Sequence, residues 1–136
     1  MDQIPFGPEV APALVKKVQE VVLAGSELAS FADREPFLAS DCGVEISALE
    51  ARTILGSGVP DRVVAAAAEA ARLGRGFSVS RYDLDGISRL ENVISTASSR
   101  IAQKYMALEA AGSNANKLGS AISVVSGIAG LIKTFL

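Results

Sequence analysis

The sequence predicts an all-α fold on three observations. Apolar residues recur at three- and four-residue steps, helix breakers and capping residues fall between those runs, and the packing residues are small and aliphatic. The chain is 49% hydrophobic but only 5% aromatic, with no Trp and no His. Its 136 residues suit one domain with a real core. The expected architecture is a single all-helical domain over 1–136. It comprises an amphipathic N-terminal helix, two short middle helices and a long C-terminal helical region, with 83–136 as the assembly region.

A Pro-rich lead (Pro5, Pro8, Pro12) opens the chain. Leu14, Val18, Val21, Val22, Leu28 and Phe31 then mark one helical face, with Lys16, Lys17, Glu20 and Glu27 mainly elsewhere on the wheel. This predicts a helix to about Ala32, weakened at Gly25-Ser26. Residues 33–45 are expected to be irregular, with Pro36 and Gly43 as breakers. Ser47 and Glu50 have capping-box spacing for a short helix through Leu55, closed by Gly56-Ser57-Gly58. Pro60 and Asp61 suit the first turn of a third helix, Arg62 to Leu73, ending at Gly74. Phe77-Ser78-Val79 has strand character but is too short and isolated to imply a sheet.

Asp83 and Asp85 favour a helix start near Leu84 by complementing the helix dipole. From there Ile87, Ile94, Ile101 and Leu108 fall seven apart, with Leu90 and Ala97 between them, as in a heptad seam. Lys104 is the one misfit. The register continues beyond Gly112-Ser113-Asn114 through Ala115, Ile122, Ala129 and Leu136, and through Ala111, Leu118, Val125 and Ile132. One continuous helix here would be about 75–80 Å long at about 1.5 Å per residue. The alternative is a helical hairpin turning near 112–116, which the poor helix formers Gly-Ser-Asn-Ala-Asn favour.

The final nineteen residues, Leu118 to Leu136, contain nine large apolar side chains and one charge, Lys133. Leu118, Ile122, Val125, Ile128, Ile132 and Phe135 share one helical face; Ser120, Ser123, Gly127, Gly130 and Thr134 share the other. The pairs Ser123/Gly127 and Ser126/Gly130 have the small-xxx-small spacing that lets helix backbones approach closely. Such a segment demands burial in its own fold, in another subunit or in lipid. It is long enough to cross a bilayer, but Lys133, four Ser or Thr, and the lack of flanking aromatics favour burial in protein.

Candidate chemistry is sparse. Cys42 is the lone cysteine, and with no His in the chain its usual activating base is missing, so it is expected to be a structural thiol. Asp83-Leu84-Asp85-Gly86 resembles part of a calcium loop. Counted from Asp83, however, the EF-hand glycine and glutamate positions hold Ser88 and Ile94. Gly56-Ser57-Gly58 and Gly74-Arg75-Gly76 lack the Lys-Ser/Thr and βαβ setting of phosphate loops. Two short helices joined by a Gly turn have a helix-turn-helix outline, but the second offers mostly Ala and Val where base readout needs polar groups. Arg72, Arg75 and Arg81 form a small basic cluster beyond it. A net charge of −2, well mixed, leaves no polyelectrolyte footprint for nucleic acid.

The functional expectation is therefore a non-enzymatic structural or interaction protein without cofactor or metal. It is expected to be a homo-oligomer or polymer, most concretely a subunit of a helical filament, tube or ring. The expected self-assembly interface is Ile94, Ile101, Leu108, Leu118, Ile122, Val125, Gly127, Gly130, Ile132 and Phe135. The next reading is a membrane-active or tail-anchored protein using 118–136, followed by a regulatory adaptor or helix-turn-helix-like module. Met1-Asp2-Gln3-Ile4-Pro5 lacks the basic and apolar regions of a Sec signal. A cytoplasmic location is the default expectation, with signal-less export or assembly outside the cell as the alternative.

Overall fold

The structure, a computed structural model, describes residues 2–110. It is mostly helical. Strand β1 (Gln3–Phe6) and a short 3-10 turn (Pro8–Val10) lead into α1 (Ala11–Arg34). The chain continues through α2 (Pro36–Cys42), α3 (Glu45–Gly56), α4 (Val59–Leu73), β2 (Phe77–Ser80) and α5 (Arg81–Ala110).

Helix α1 buries Leu14, Val18, Val21, Leu28 and Phe31 along one stripe, as their spacing requires. Gly25 does not break it. A Cβ there would lie 3.3 Å from Leu90 Cδ1, 3.4 Å from Leu55 Cδ1 and 3.7 Å from Ile94 Cδ1, so the glycine lies where α1, α3 and α5 meet. Its cost in helix propensity, about 1 kcal/mol, is offset by close packing of three helices.

The stripe on α5 is buried as well: Leu84, Ile87, Leu90, Ile94, Ala97 and Ile101 are all shielded from solvent. Two apolar clusters result, and both span α1 and α5. One gathers Ala11, Leu14 and Val18 of α1 with Val59, Val63 and Ala67 of α4, and with Leu84 and Ile87 of α5. The other gathers Val21, Leu28 and Phe31 of α1 with α2, α3, and Leu90, Ile94 and Ile101 of α5. Because each long helix passes from the first cluster to the second, α1 and α5 run in the same direction. They form the spine on which the shorter helices pack.

Three local expectations are corrected. Residues 36–42 form a helix, because Pro36 occupies the first helical turn, where proline needs no partner for its missing N–H. Gly43, with φ of 71°, ends it. Helix α3 begins at Glu45, two residues before Ser47, and its start carries no side-chain cap. The strand-like run near Val79 has a partner: β2 pairs antiparallel with β1, in register Ile4 to Val79 and Phe6 to Phe77. Phe6 and Phe77 stack with ring centroids 5.3 Å apart. Helix α4 begins at Val59, three residues before the expected Arg62, and stops at Leu73 with Gly74 as its left-handed cap (φ 64°), as expected.

Helix α5 starts three residues before Leu84, and the chemistry of its start is local. Ser80 Oγ accepts a hydrogen bond from the Asp83 backbone N–H at 3.1 Å, capping the first turn. The Asp83 carboxylate is buried, and it accepts two hydrogen bonds from Arg62 of α4, from Nη2 at 2.9 Å and from Nε at 3.2 Å. This fork ties α4 to α5. Those hydrogen bonds also raise the Arg62 pKa above its ordinary value.

Ile94 sits at the centre of the second cluster, within reach of Gly25. Ile94→Asp is expected to abolish cooperative unfolding followed by circular dichroism in urea, since a buried unpaired carboxylate costs several kcal/mol. A wild-type urea midpoint in this variant would contradict the burial of the α5 stripe.

Candidate functional site

The residues expected to form an assembly surface divide into two groups. Ile94 and Ile101 are buried in the chain's own core, packed with α1, α2 and α3. The stripe that looks like a coiled-coil seam is thus occupied from within the same chain. The side chain of Leu108, and the whole of Leu118, Ile122, Val125, Gly127, Gly130, Ile132 and Phe135, lie outside the described residues, as does the 112–116 turn.

Exposed large apolar side chains lie on α2 and α3, and also at Leu23, Leu73 and Tyr82. Phe37 is 89% exposed, Ile46 73% and Leu49 63%. Helix α3 buries Ala48 and Ala51 and packs Ile54 and Leu55 partly against the core, but it turns Ile46 and Leu49 outward. Ile46 and Leu49 lie three apart on one helical face. Leu49 also borders a hollow of about 230 Å³ between the end of α1, α2 and α3. Ala32, Ala39 and Ala48 line it, with Pro36, Asp33 and Glu45. Small residues there keep the hollow open between the backbones. Phe37 follows Pro36 directly.

Charged contacts hold this region to the spine. Arg52 of α3 reaches α1, bonding the Asp33 carboxylate at 2.7 Å and the Ala29 carbonyl at 3.4 Å. Arg100 of α5 donates to the Gly43 carbonyl at 2.6 Å, and Lys104 one turn later lies 3.2 Å from the Asp41 carboxylate. Lys104, the misfit of the heptad pattern, therefore faces the C-terminal end of α2. Both cations also complement that helix end. The sequence carried no hint of these pairings, because each joins positions far apart in the chain.

Cys42 is buried, 7% exposed, and burial pushes its thiol pKa up, assisted by the Asp41 charge and opposed by Lys104. That is the reverse of an activated nucleophile. Asp83 is held by Arg62, and Asp85 borders a second hollow, of about 270 Å³, beside Tyr82 and Arg89. Among the described residues there is no group of three or more His, Cys, Asp or Glu able to hold a metal ion. The exposed face of α4 presents Ala65, Ala68, Glu69 and Arg72, and Arg62 is committed to Asp83. Of the basic cluster, Arg75 lies 3.8 Å from Glu69 and Arg81 lies 3.9 Å from Asp2. Among the described residues, no helix is long and apolar enough to cross a membrane.

The raised Cys42 pKa has a signed consequence. The folded state favours the protonated thiol, so the associated stability is complete below the ordinary thiol pKa and is lost as pH rises through it towards the raised native value. Alkylation by iodoacetamide at mildly alkaline pH should be many-fold slower in the folded protein than in urea. It should accelerate only at pH values above the ordinary thiol range. Equal rates in the two states would show Cys42 to be accessible and unperturbed.

Comparison with known proteins gives no match: no family model, curated protein or solved structure is significantly similar to this chain.

Proposed function

We propose that this chain is a non-enzymatic structural subunit that assembles with copies of itself, through residues 118–136, into a helical filament, tube or ring. The observation that carries the reading is the chain's excess of apolar surface over what its own core uses. Leu118–Leu136 has nine large apolar residues against one charge, and Phe37, Ile46 and Leu49 are exposed on the folded domain. The α5 stripe supports a narrower version of the idea than the sequence pattern alone. Leu90, Ile94 and Ile101 serve the domain's own core, which leaves the segment beyond α5 as the assembly element. At helical spacing the apolar positions of that segment fall on the side opposite Gly127 and Gly130.

The absence of His from the sequence and the buried, raised thiol of Cys42 support a non-catalytic role. A repeated head-to-tail contact between different surfaces generates an open helical assembly or a closed ring, depending on whether the rotation closes.

Gly127→Leu tests this reading against membrane anchoring. A bulky side chain where a neighbouring backbone comes close costs about 1–3 kcal/mol per site by overpacking, and in an assembly that cost recurs at every contact. The variant is expected to remain soluble but to fail to assemble by light scattering and negative-stain microscopy. Unchanged assembly together with tighter liposome binding would reverse the ranking, because added hydrophobicity helps insertion.

A further inference from the structure

We infer that the outer edge of β2 is a docking site for an extended acidic segment of a partner protein, which adds to the β1–β2 pair as a third strand. The strand ladder shows which backbone groups are spare. The Arg81 N–H donates to the Asp2 carbonyl at 2.9 Å, one step beyond the Gln3–Ser80 pair. In an antiparallel ladder, residue pairs that exchange hydrogen bonds alternate with pairs that do not. Asp2/Arg81, Ile4/Val79 and Phe6/Phe77 are therefore the bonded pairs. Pro5, which has no N–H to give, falls on a non-bonded pair, opposite Ser78. By the same alternation the N–H and C=O of Ser78 and the N–H of Ser80 point away from β1.

The two edges of this sheet differ. On the β1 side Pro5 removes a donor that a further strand would need, which blunts that edge. On the β2 side no proline or charge interrupts Phe77–Ser80, and Ser78 is exposed. A hollow of about 310 Å³ lies beside it, bounded by residues 75–78 and, across from them, by Ala66, Glu69 and Ala70 of α4. No residue of β1 borders this hollow, so it runs along the free side of β2. Alanines on α4 keep that side open, where an added strand would lie about 4.8 Å from β2.

Charge selects the partner. Arg75 stands just before β2 and Arg81 just after it, a span of about 20 Å in extended chain at about 3.3 Å per residue. Arg75 lies 3.8 Å from Glu69 and Arg81 lies 3.9 Å from Asp2, and all four side chains are more than half exposed. Ion pairs this loose and wet are readily exchanged for others. A strand laid along β2 passes both guanidiniums, so carboxylates near its two ends each meet a cation. Glu69 faces the hollow between them and favours neutral residues in the middle. Main-chain pairing supplies the hold and the two arginines supply the selection. A second copy of β2 suits the edge less well. Antiparallel pairing about Ser78 would set Arg75 of one protomer opposite Arg81 of its partner.

A fluorescein-labelled peptide, Glu-Asp-Thr-Val-Thr-Val-Asp-Glu, tests this by anisotropy against the full-length protein. Saturable binding is expected. Ser78→Pro removes the outward N–H and spares every β1–β2 bond, so circular dichroism should be unchanged while binding falls about tenfold or more. Ser78→Thr, which keeps the N–H, should bind like the wild type. Arg75→Glu combined with Arg81→Glu should lose the acidic peptide and take up a counterpart carrying Lys at both ends. In the wild type the Ser78 amide should exchange rapidly and become protected severalfold when peptide is added, a readout that needs no variant. Binding that survives Ser78→Pro, or that leaves Ser78 exchange unchanged, would overturn the inference. So would a failure to saturate at millimolar peptide, or equal wild-type binding of the acidic and Lys peptides. A single-stranded oligonucleotide held more tightly than the peptide would assign the arginines to nucleic acid instead. A dimer broken by Ser78→Pro would assign the edge to a second copy, and either result overturns the acidic-strand reading.

Discussion

Burial of one apolar stripe on α5 is the constraint on which the rest of the structure depends. Leu84, Ile87, Leu90, Ile94, Ala97 and Ile101 recur at helical spacing and need a continuous apolar partner. Helix α1 supplies it, with a stripe of its own from Leu14 to Phe31. Neither stripe is fully covered by the other, and the remainder sets the positions of the short helices. Helix α4 closes the first cluster with Val63 and Ala67, and α2 and α3 close the second with Ala39, Ala48 and Ala51. Alanines on the short helices permit close approach to the spine, with Gly86 against Val59 at the closer of two glycine contacts and Gly25 against Leu90 and Leu55 at the other.

Polar contacts then fix what apolar packing leaves free. Arg62 and Asp83 join α4 to the first turn of α5 through a two-bond fork, at a carboxylate that would be costly to bury alone. Arg100 donates to the Gly43 carbonyl and Lys104 pairs with Asp41 at the C-terminal end of α2, while Arg52 ties α3 to Asp33 of α1. These surface contacts are individually worth little, commonly less than about 1 kcal/mol. Their role is orientation: they hold α2 and α3 so that alanines face the core while Phe37, Ile46 and Leu49 face outward.

The long helices were legible in the sequence because their signals are periodic and repeated. The stop at Gly74 was legible because one residue type suits a left-handed cap. The parts that escaped reading depend on context. Pro36 disrupts a helix in its interior but fits the first turn, and only the surrounding chain decides which applies. Strand β1 contains Pro5 and becomes a strand by pairing with β2, more than seventy positions away. Ser47 has capping-box spacing, yet α3 starts at Glu45 and encloses it. The heptad pattern revealed that Ile94 and Ile101 are buried but not by what, because α1 and a neighbouring subunit would require the same apolar spacing. The exposure of Ile46 and Leu49 escaped for a related reason: both resemble core residues until the small residues beside them are seen to occupy the core.

If the α5 stripe belongs to the subunit's own core, its protection from solvent must precede any association. Amide hydrogen exchange, compared between dilute single subunits and concentrated protein, measures this directly. Amides of residues 14–31 and 84–101 should form one slowly exchanging set in the dilute subunit, with protection unchanged at high concentration. Rapid exchange of 84–101 in single subunits, slowing only on assembly, would show instead that the stripe is an intersubunit seam.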